Sequence, residues 1–211
     1  MMTLYGTKGA GSAAVEAALA LSGAPYRCVD AASWKPGPGL EGLTRINPLA
    51  QIPTLLLTDG SVLTESAAIL IDLGLRFPHS GLLPADTADR AQAIRGLVYI
   101  GANCYAAISV IDYPERWCAD PDEALRQRVI SRSKARLHEL WDTFADVFPA
   151  SPWLSGEKIG ALDLLAAVVS KWSGSRKHLA DSRPAFHALL GRIETEPRVA
   201  AIFASHWPAA Q

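Results

Sequence analysis

The sequence predicts an α/β unit over residues 1–78, a linker at 79–86 and an all-helical bundle over 87–211. Three observations lead there. Short apolar strand patterns alternate with helical runs only within the first 78 residues. Beyond them every segment repeats with the helical period, and no strand pattern recurs. Between the two lies FPHSGLLPAD, a proline-bounded connection where the composition changes, as it does at domain boundaries.

Each element has its own local reason. TLYG, residues 3–6, is a short strand candidate, and KGAGS is a glycine-punctuated loop before a helical run from Ala13 to about Leu21. SGAP ends that helix, and YRCVD alternates like a second strand. WKPGPGLEG is expected to be irregular, since it holds two prolines and three glycines. TLLLT, the turn DG and SVLT read as a hairpin, followed by a helix from about Glu65 to Arg76. Asp86 or Thr87 can cap a helix running to about Val110. DPDE at 120–123 is a start signal: Asp120 accepts from orphan amides, Pro121 suits the first helical position and Glu123 completes a capping arrangement. Leu125, Val129, Leu137, Leu140, Trp141, Phe144 and Phe148 then keep helical spacing up to Pro149. Another apolar helix starts near Ala161, and PAFHALLGRIETEP and RVAAIFAS supply two shorter terminal helices.

Composition excludes several classes of function. Twenty basic against 21 acidic side chains leave no electrostatic footprint for nucleic acid or an anionic membrane. Cys28, Cys104 and Cys118 are odd in number and far apart, and they match neither a CxxC pair nor a zinc-ligand spacing, which fits a reducing compartment and no metal. No uninterrupted apolar stretch approaches the ~20 residues of a membrane span. Glu16 interrupts the alanine-rich run near the N-terminus and no strong basic region precedes it, unlike a secretory signal. A cytoplasmic protein is expected.

Local words narrow the reading. NPLAQIPT at 47–54 and DGSVLTESAAI at 59–69 closely resemble the cytosolic glutathione transferase family, bacterial type. GAPYRCVD, GALDLL and EPRVAAI are weaker supporting matches, and the likeness spans essentially the whole chain. The resemblance implies a thioredoxin-like first domain with a mixed sheet, followed by the helical bundle. It implies a cis Ile52–Pro53 bond, a geometry far cheaper before proline than before other residues. The Ile52 main chain would then face outward and pair, strand-like, with the cysteinyl unit of glutathione. Ser66, at a helix start where amides and dipole favour an anion, would take the γ-glutamyl carboxylate. Glu65 or Gln51 would meet the ligand's ammonium end, and Lys35 is a candidate for its glycyl carboxylate. Read without the family, Thr64 caps this helix, Glu65 is a dipole-favourable charge, Lys35 is solvated and Pro53 opens an edge strand in trans.

A free thiol with a pKa of about 8.5 is only a few per cent thiolate at neutral pH. Each unit of lowering needs about 1.4 kcal/mol, within reach of one or two hydrogen bonds at a helix start. The family supplies a Tyr, Ser or Cys near the end of the first strand. Here the tyrosine position falls at Gly6 and the cysteine position at Gly11. Ser12 is therefore the candidate thiolate stabiliser, with Thr7 and Tyr5 behind it and a plain helix cap as its structural alternative. A loop without cysteine argues against thiol–disulfide exchange. The electrophile pocket would be lined by Gly11, Asn103, Tyr113 and Trp117, with Tyr105 and Ile108 nearby. Arg128, Arg132 and Arg136 read as a solvated stripe, and Asp163 as a structural residue behind a Gly160 cap.

The leading expectation is an enzyme that conjugates glutathione, as co-substrate, to a small hydrophobic electrophile in detoxification, working as a homodimer. Two alternatives stay open. One is a non-catalytic glutathione-binding or scaffold protein of the same fold, and the other a glutathione-dependent isomerase or lyase.

Overall fold

A computed structural model describes residues 1–117 and 122–208. Strand β1, Met2–Gly6, is the sheet's organiser: it pairs in parallel with β2, Tyr26–Asp30, and antiparallel with β3, Thr54–Leu56. Strand β4, Val62–Leu63, completes the hairpin with β3 and gives the order β2-β1-β3-β4. This is the mixed sheet expected. The hairpin turn is set by Asp59, whose carboxylate accepts from the Ser61 N–H at 2.9 Å and from its hydroxyl at 2.6 Å.

Helix α1, Ser12–Ser22, carries five alanines that let it lie close to its neighbours, and most of its residues are buried. It ends at Gly23, whose φ of 66° is the left-handed closure that glycine adopts freely. Helix α2, Pro38–Ile46, corrects the expectation of irregular structure in WKPGPGLEG. Pro38 stands in the first turn, where a missing N–H costs nothing, so here a breaker residue starts a helix. Leu43 is the side chain this helix buries. Helix α3, Ser66–Arg76, follows β4.

Apart from an isolated bridge between Trp153 and Gly156, the regular structure of the second half is helical among the described residues. Asp86 caps α4, Thr87–Tyr99, accepting from the Ala88 and Asp89 amides. A π-helical turn, Ile100–Tyr105, leads directly into α5, Ala106–Asp112. By length and composition alone the run Thr87–Asp112 could cross a bilayer, although Arg95 interrupts it; in the fold it packs against α6, Glu123–Val147, and α7, Ala161–Val169. Asp122, accepting from the Ala124 amide, caps α6, which begins two residues later than DPDE implied; Asp120 and Pro121 lie outside the described residues. The polar helix α8, Ser175–Ser182, had no apolar period to announce it, and α9, Pro184–Glu194, and α10, Ala200–His206, follow.

Helix α7 is apolar apart from Asp163, and every residue in it is buried. It packs on α1 and α3 as well as on α4 and α9, so one continuous core runs from the sheet into the bundle. Burying each of its leucines and valines contributes about 1.5–3 kcal/mol. Its start is fixed by Asp163, whose carboxylate accepts from the Leu154, Ser155 and Gly160 amides at 2.8, 3.1 and 3.0 Å. Asp163 is thus structural, as the sequence suggested.

Candidate functional site

A cavity of about 530 Å³ opens between the loops at the sheet's edge and the α4–α5 run. Gln51, Ile52, Pro53, Thr64, Glu65, Ser66 and the Gly9–Gly11 loop form one wall. Tyr105, Ile108, Ser109, Asp112 and Tyr113, with Leu165 and Trp172, form the other.

The first wall is built by a buried clamp. Asn47 donates from Nδ2 to the Gln51 carbonyl at 3.2 Å and to Thr54 Oγ1 at 2.9 Å, and accepts the Leu49 N–H through Oδ1 at 3.1 Å. Thr54 in turn donates to the Gln51 carbonyl at 2.8 Å. These bonds hold residues 47–54 in one shape. The Ile52–Pro53 peptide is cis. Neither the N–H nor the C=O of Ile52 forms a hydrogen bond among the described residues, and both belong to a residue lining the cavity. Glu65 adopts a φ of 63°, a sparsely populated conformation for a residue with a side chain, and it caps α3 without a side-chain bond. The first amides of α3, beginning at Ser66, have no internal acceptor, and Ser66 and Ala67 line the cavity.

Ser12 is not brought to this cavity. It is 2 % exposed, and its Oγ accepts the Thr7 N–H and donates to the Thr7 carbonyl, both at 3.1 Å. It occupies the first helical position behind Gly11 and braces the loop instead of capping α1. Gly6 serves the same brace, because a Cβ there would collide with the Ser12 side chain. Thr7 is also engaged, its hydroxyl donating to Asp30 at 2.6 Å. Lys35 lies off the cavity lining, with its ammonium 3.6 Å from the Asp30 carboxylate and its side chain 72 % exposed; Trp34 lines the cavity in its place. Asn103 turns back to donate to the Tyr99 carbonyl at 3.1 Å, and Trp117 is 64 % exposed and off the lining. Gln51, Ile52, Pro53, Glu65, Ser66, Gly11 and Tyr113 do converge on it.

Two lining groups were not named from the sequence, and a third was named only for its place beside the apolar pocket. Trp172 follows α7 without any spacing that would mark it, and its ring stands 5.8 Å from that of Tyr105. Asp112 is an exposed carboxyl whose partial desolvation raises its pKa. Tyr105, counted only as a neighbour of the apolar pocket, carries a hydroxyl that is shielded from solvent and makes no hydrogen bond. Burial pushes that phenol up to about 12. Among the described residues no cluster of His, Cys, Asp and Glu could hold a metal ion.

The pattern of the glutathione S-transferase N-terminal domain matches residues 12–74. An uncharacterized GST-like protein of Escherichia coli K12, YncG, is 31% identical over 200 residues, covering 94% of this chain and 95% of the relative. The chain belongs to the glutathione transferase family. Another member, GstA of Escherichia coli O157:H7, is 26% identical over 155 residues, 73% of each chain. Among solved glutathione transferases, a homolog from Sulfitobacter with bound glutathione superimposes with a TM-score of 0.82 at 25% identity over 96% of both chains. A glutathione transferase from Methylococcus capsulatus gives a TM-score of 0.76 at 29% identity over 98% of both. The family's thioredoxin-like first unit and helical second part are both present here.

Proposed function

We propose that this protein is a glutathione transferase that joins the thiol of glutathione to a small hydrophobic electrophile. The observation that carries the reading is the pair of unpaired Ile52 main-chain groups beside the open amides of α3 in one cavity. The fit to glutathione is chemical. An extended peptide needs an outward N–H and C=O at strand spacing, and its free carboxylate suits uncapped helical amides with a serine hydroxyl. Ile52 would meet the cysteinyl unit, Ser66 the γ-glutamyl carboxylate, and Glu65 or Gln51 the ammonium. An exposed Lys35 already paired with Asp30 reaches a glycyl carboxylate only by leaving that pair.

The opposite wall joins Ile108, Tyr113, Leu165 and Trp172 to Ser109 and Asp112, and its apolar and aromatic part suits a hydrophobic partner. Both reactants would be held within one cavity, and proximity would supply much of the rate. Sulfur forms a bond to the electrophilic carbon, the leaving group departs with its electron pair, and the thiol proton goes to solvent. Glycines at 6 and 11 favour a second reading, a protein that binds glutathione without turning it over.

Calorimetry with reduced glutathione, run beside turnover of a chloro-nitroaromatic, decides between these readings. Binding with turnover is the expected result. Binding without turnover, repeated over several electrophile classes, would favour the second reading, and no binding at millimolar glutathione would sink both. Replacing Ser66 with alanine should weaken glutathione binding about tenfold, the loss of one hydrogen bond to a charged group. The family's two-fold pairing belongs to the proposal, and sedimentation at twice the 22.5 kDa chain mass tests it.

A further inference from the structure

We propose that Tyr105, from the helical half, is the hydrogen-bond donor that holds the glutathione thiolate. This rests on the glutathione reading above and adds the group that does the chemistry. The donors expected from the first strand's loop are spent or missing: Gly6 and Gly11 have no side chain, Ser12 is closed onto Thr7, and Thr7 donates to Asp30. Tyr5 turns towards Gly42, where an added Cβ would lie 3.4 Å from its ring. Of the buried side-chain polar atoms without a hydrogen-bond partner among the described residues, the Tyr105 hydroxyl alone belongs to a cavity-lining residue. A buried donor left unmatched inside a ligand cavity is a vacancy for an acceptor.

The hydroxyl stands where a loop side chain would begin. A Cβ built on Gly11 would collide with the Tyr105 oxygen, and it would lie 3.8 Å from Ser66 Oγ. A side chain at position 11 would therefore push the phenol at 105 out of its place. The π-helical turn Ile100–Tyr105 sets this aim by interrupting the α-helical register immediately before the tyrosine. The ring is held by Trp172 at 5.8 Å, so the donor is fixed in direction before anything binds. Burial keeps the phenol protonated well above neutral pH, which leaves it a donor to an anion. The neighbouring Ser66 hydroxyl pulls the other way without reaching hydrogen-bonding geometry.

The test is Tyr105→Phe, with bound glutathione titrated by the ultraviolet absorbance of its thiolate and its affinity measured by calorimetry. The wild type should titrate below free glutathione. In Y105F the bound thiol pKa should rise by about one unit, so the thiolate fraction and kcat at neutral pH fall about tenfold while KM for the electrophile changes little. The protein should melt no lower, because the variant removes an unpartnered group. In that background Gly11→Ser should restore much of the loss: without the hydroxyl, the nearest atom to the new Cβ is ring Cζ at 3.4 Å, an ordinary contact. An unchanged thiol titration in Y105F overturns the proposal, as does a Y105F chain that fails to fold, which would make the hydroxyl structural. A wild type that binds glutathione without lowering its pKa also overturns it and leaves the binding reading standing. A wild type that shows no binding heat removes the glutathione reading, and this proposal with it.

Discussion

The Ser12 hydroxyl gives and takes one hydrogen bond with a single residue, Thr7, so its work is to keep the loop that follows β1 in shape. Ser12→Ala should lower stability by about 1 kcal/mol in urea denaturation, with kcat at saturating glutathione within about twofold of wild type. A large fall in kcat with stability unchanged would return Ser12 to the chemistry. Single residues divide sharply in how far they could be read from sequence. The place of Ile52, Pro53, Glu65 and Ser66 on the cavity wall was legible because it follows from main-chain shape and from a helix start, which the neighbouring motif marks. Ser12, Lys35, Asn103 and Trp117 were not, because their side-chain directions depend on partners or on solvent exposure that spacing does not encode. Tyr105 was placed beside the pocket, but the aim of its hydroxyl at Gly11 was not legible, because it depends on the π turn before it and on a glycine 94 positions earlier.

Among the elements, α7 has the most at stake in a single carboxylate. Asp163→Ala would leave the Leu154, Ser155 and Gly160 amides without their acceptor in a buried setting. The expected loss is about 3 kcal/mol or more, read as a fall in the urea midpoint with the m-value preserved. Sequence reading located this helix and its aspartate correctly because a capping pattern is local. It failed at α2, where prolines and glycines were weighed as breakers although Pro38 stands in the one turn that tolerates it. It also missed α8, whose exposed polar face leaves little apolar period to detect, and whose place is fixed by α6 and α9.

For the whole molecule, the division into sheet and bundle followed directly from the change of period, whereas the shared core through α7 is a tertiary fact. The bundle carries an acid-sensitive tie. Burial raises the affinity of the Asp142 carboxyl for a proton, but hydrogen bonds from Ser182 and His178, with the charge of Arg183, outweigh it and hold the carboxyl below its ordinary 3.8. A carboxyl depressed in the folded chain adds stability above its unfolded pKa and loses it as pH falls through the folded value. Thermal melting should therefore drop as pH is lowered from about 4. Asp142→Asn should melt lower than wild type at neutral pH and converge with it in acid, and parallel curves would dismiss the tie. At the other end of the molecule, Gly9 donates its N–H to Nδ1 of His206 at 3.2 Å, which requires that nitrogen to be bare, while Nε2 donates to Glu16 at 2.7 Å. The last described helix thus works as a buckle on the rim that borders the cavity. Any event that unfastens the tail, whether clipping by a protease or a fused tag that pulls α10 away, would loosen the mouth of the cavity without touching the sheet.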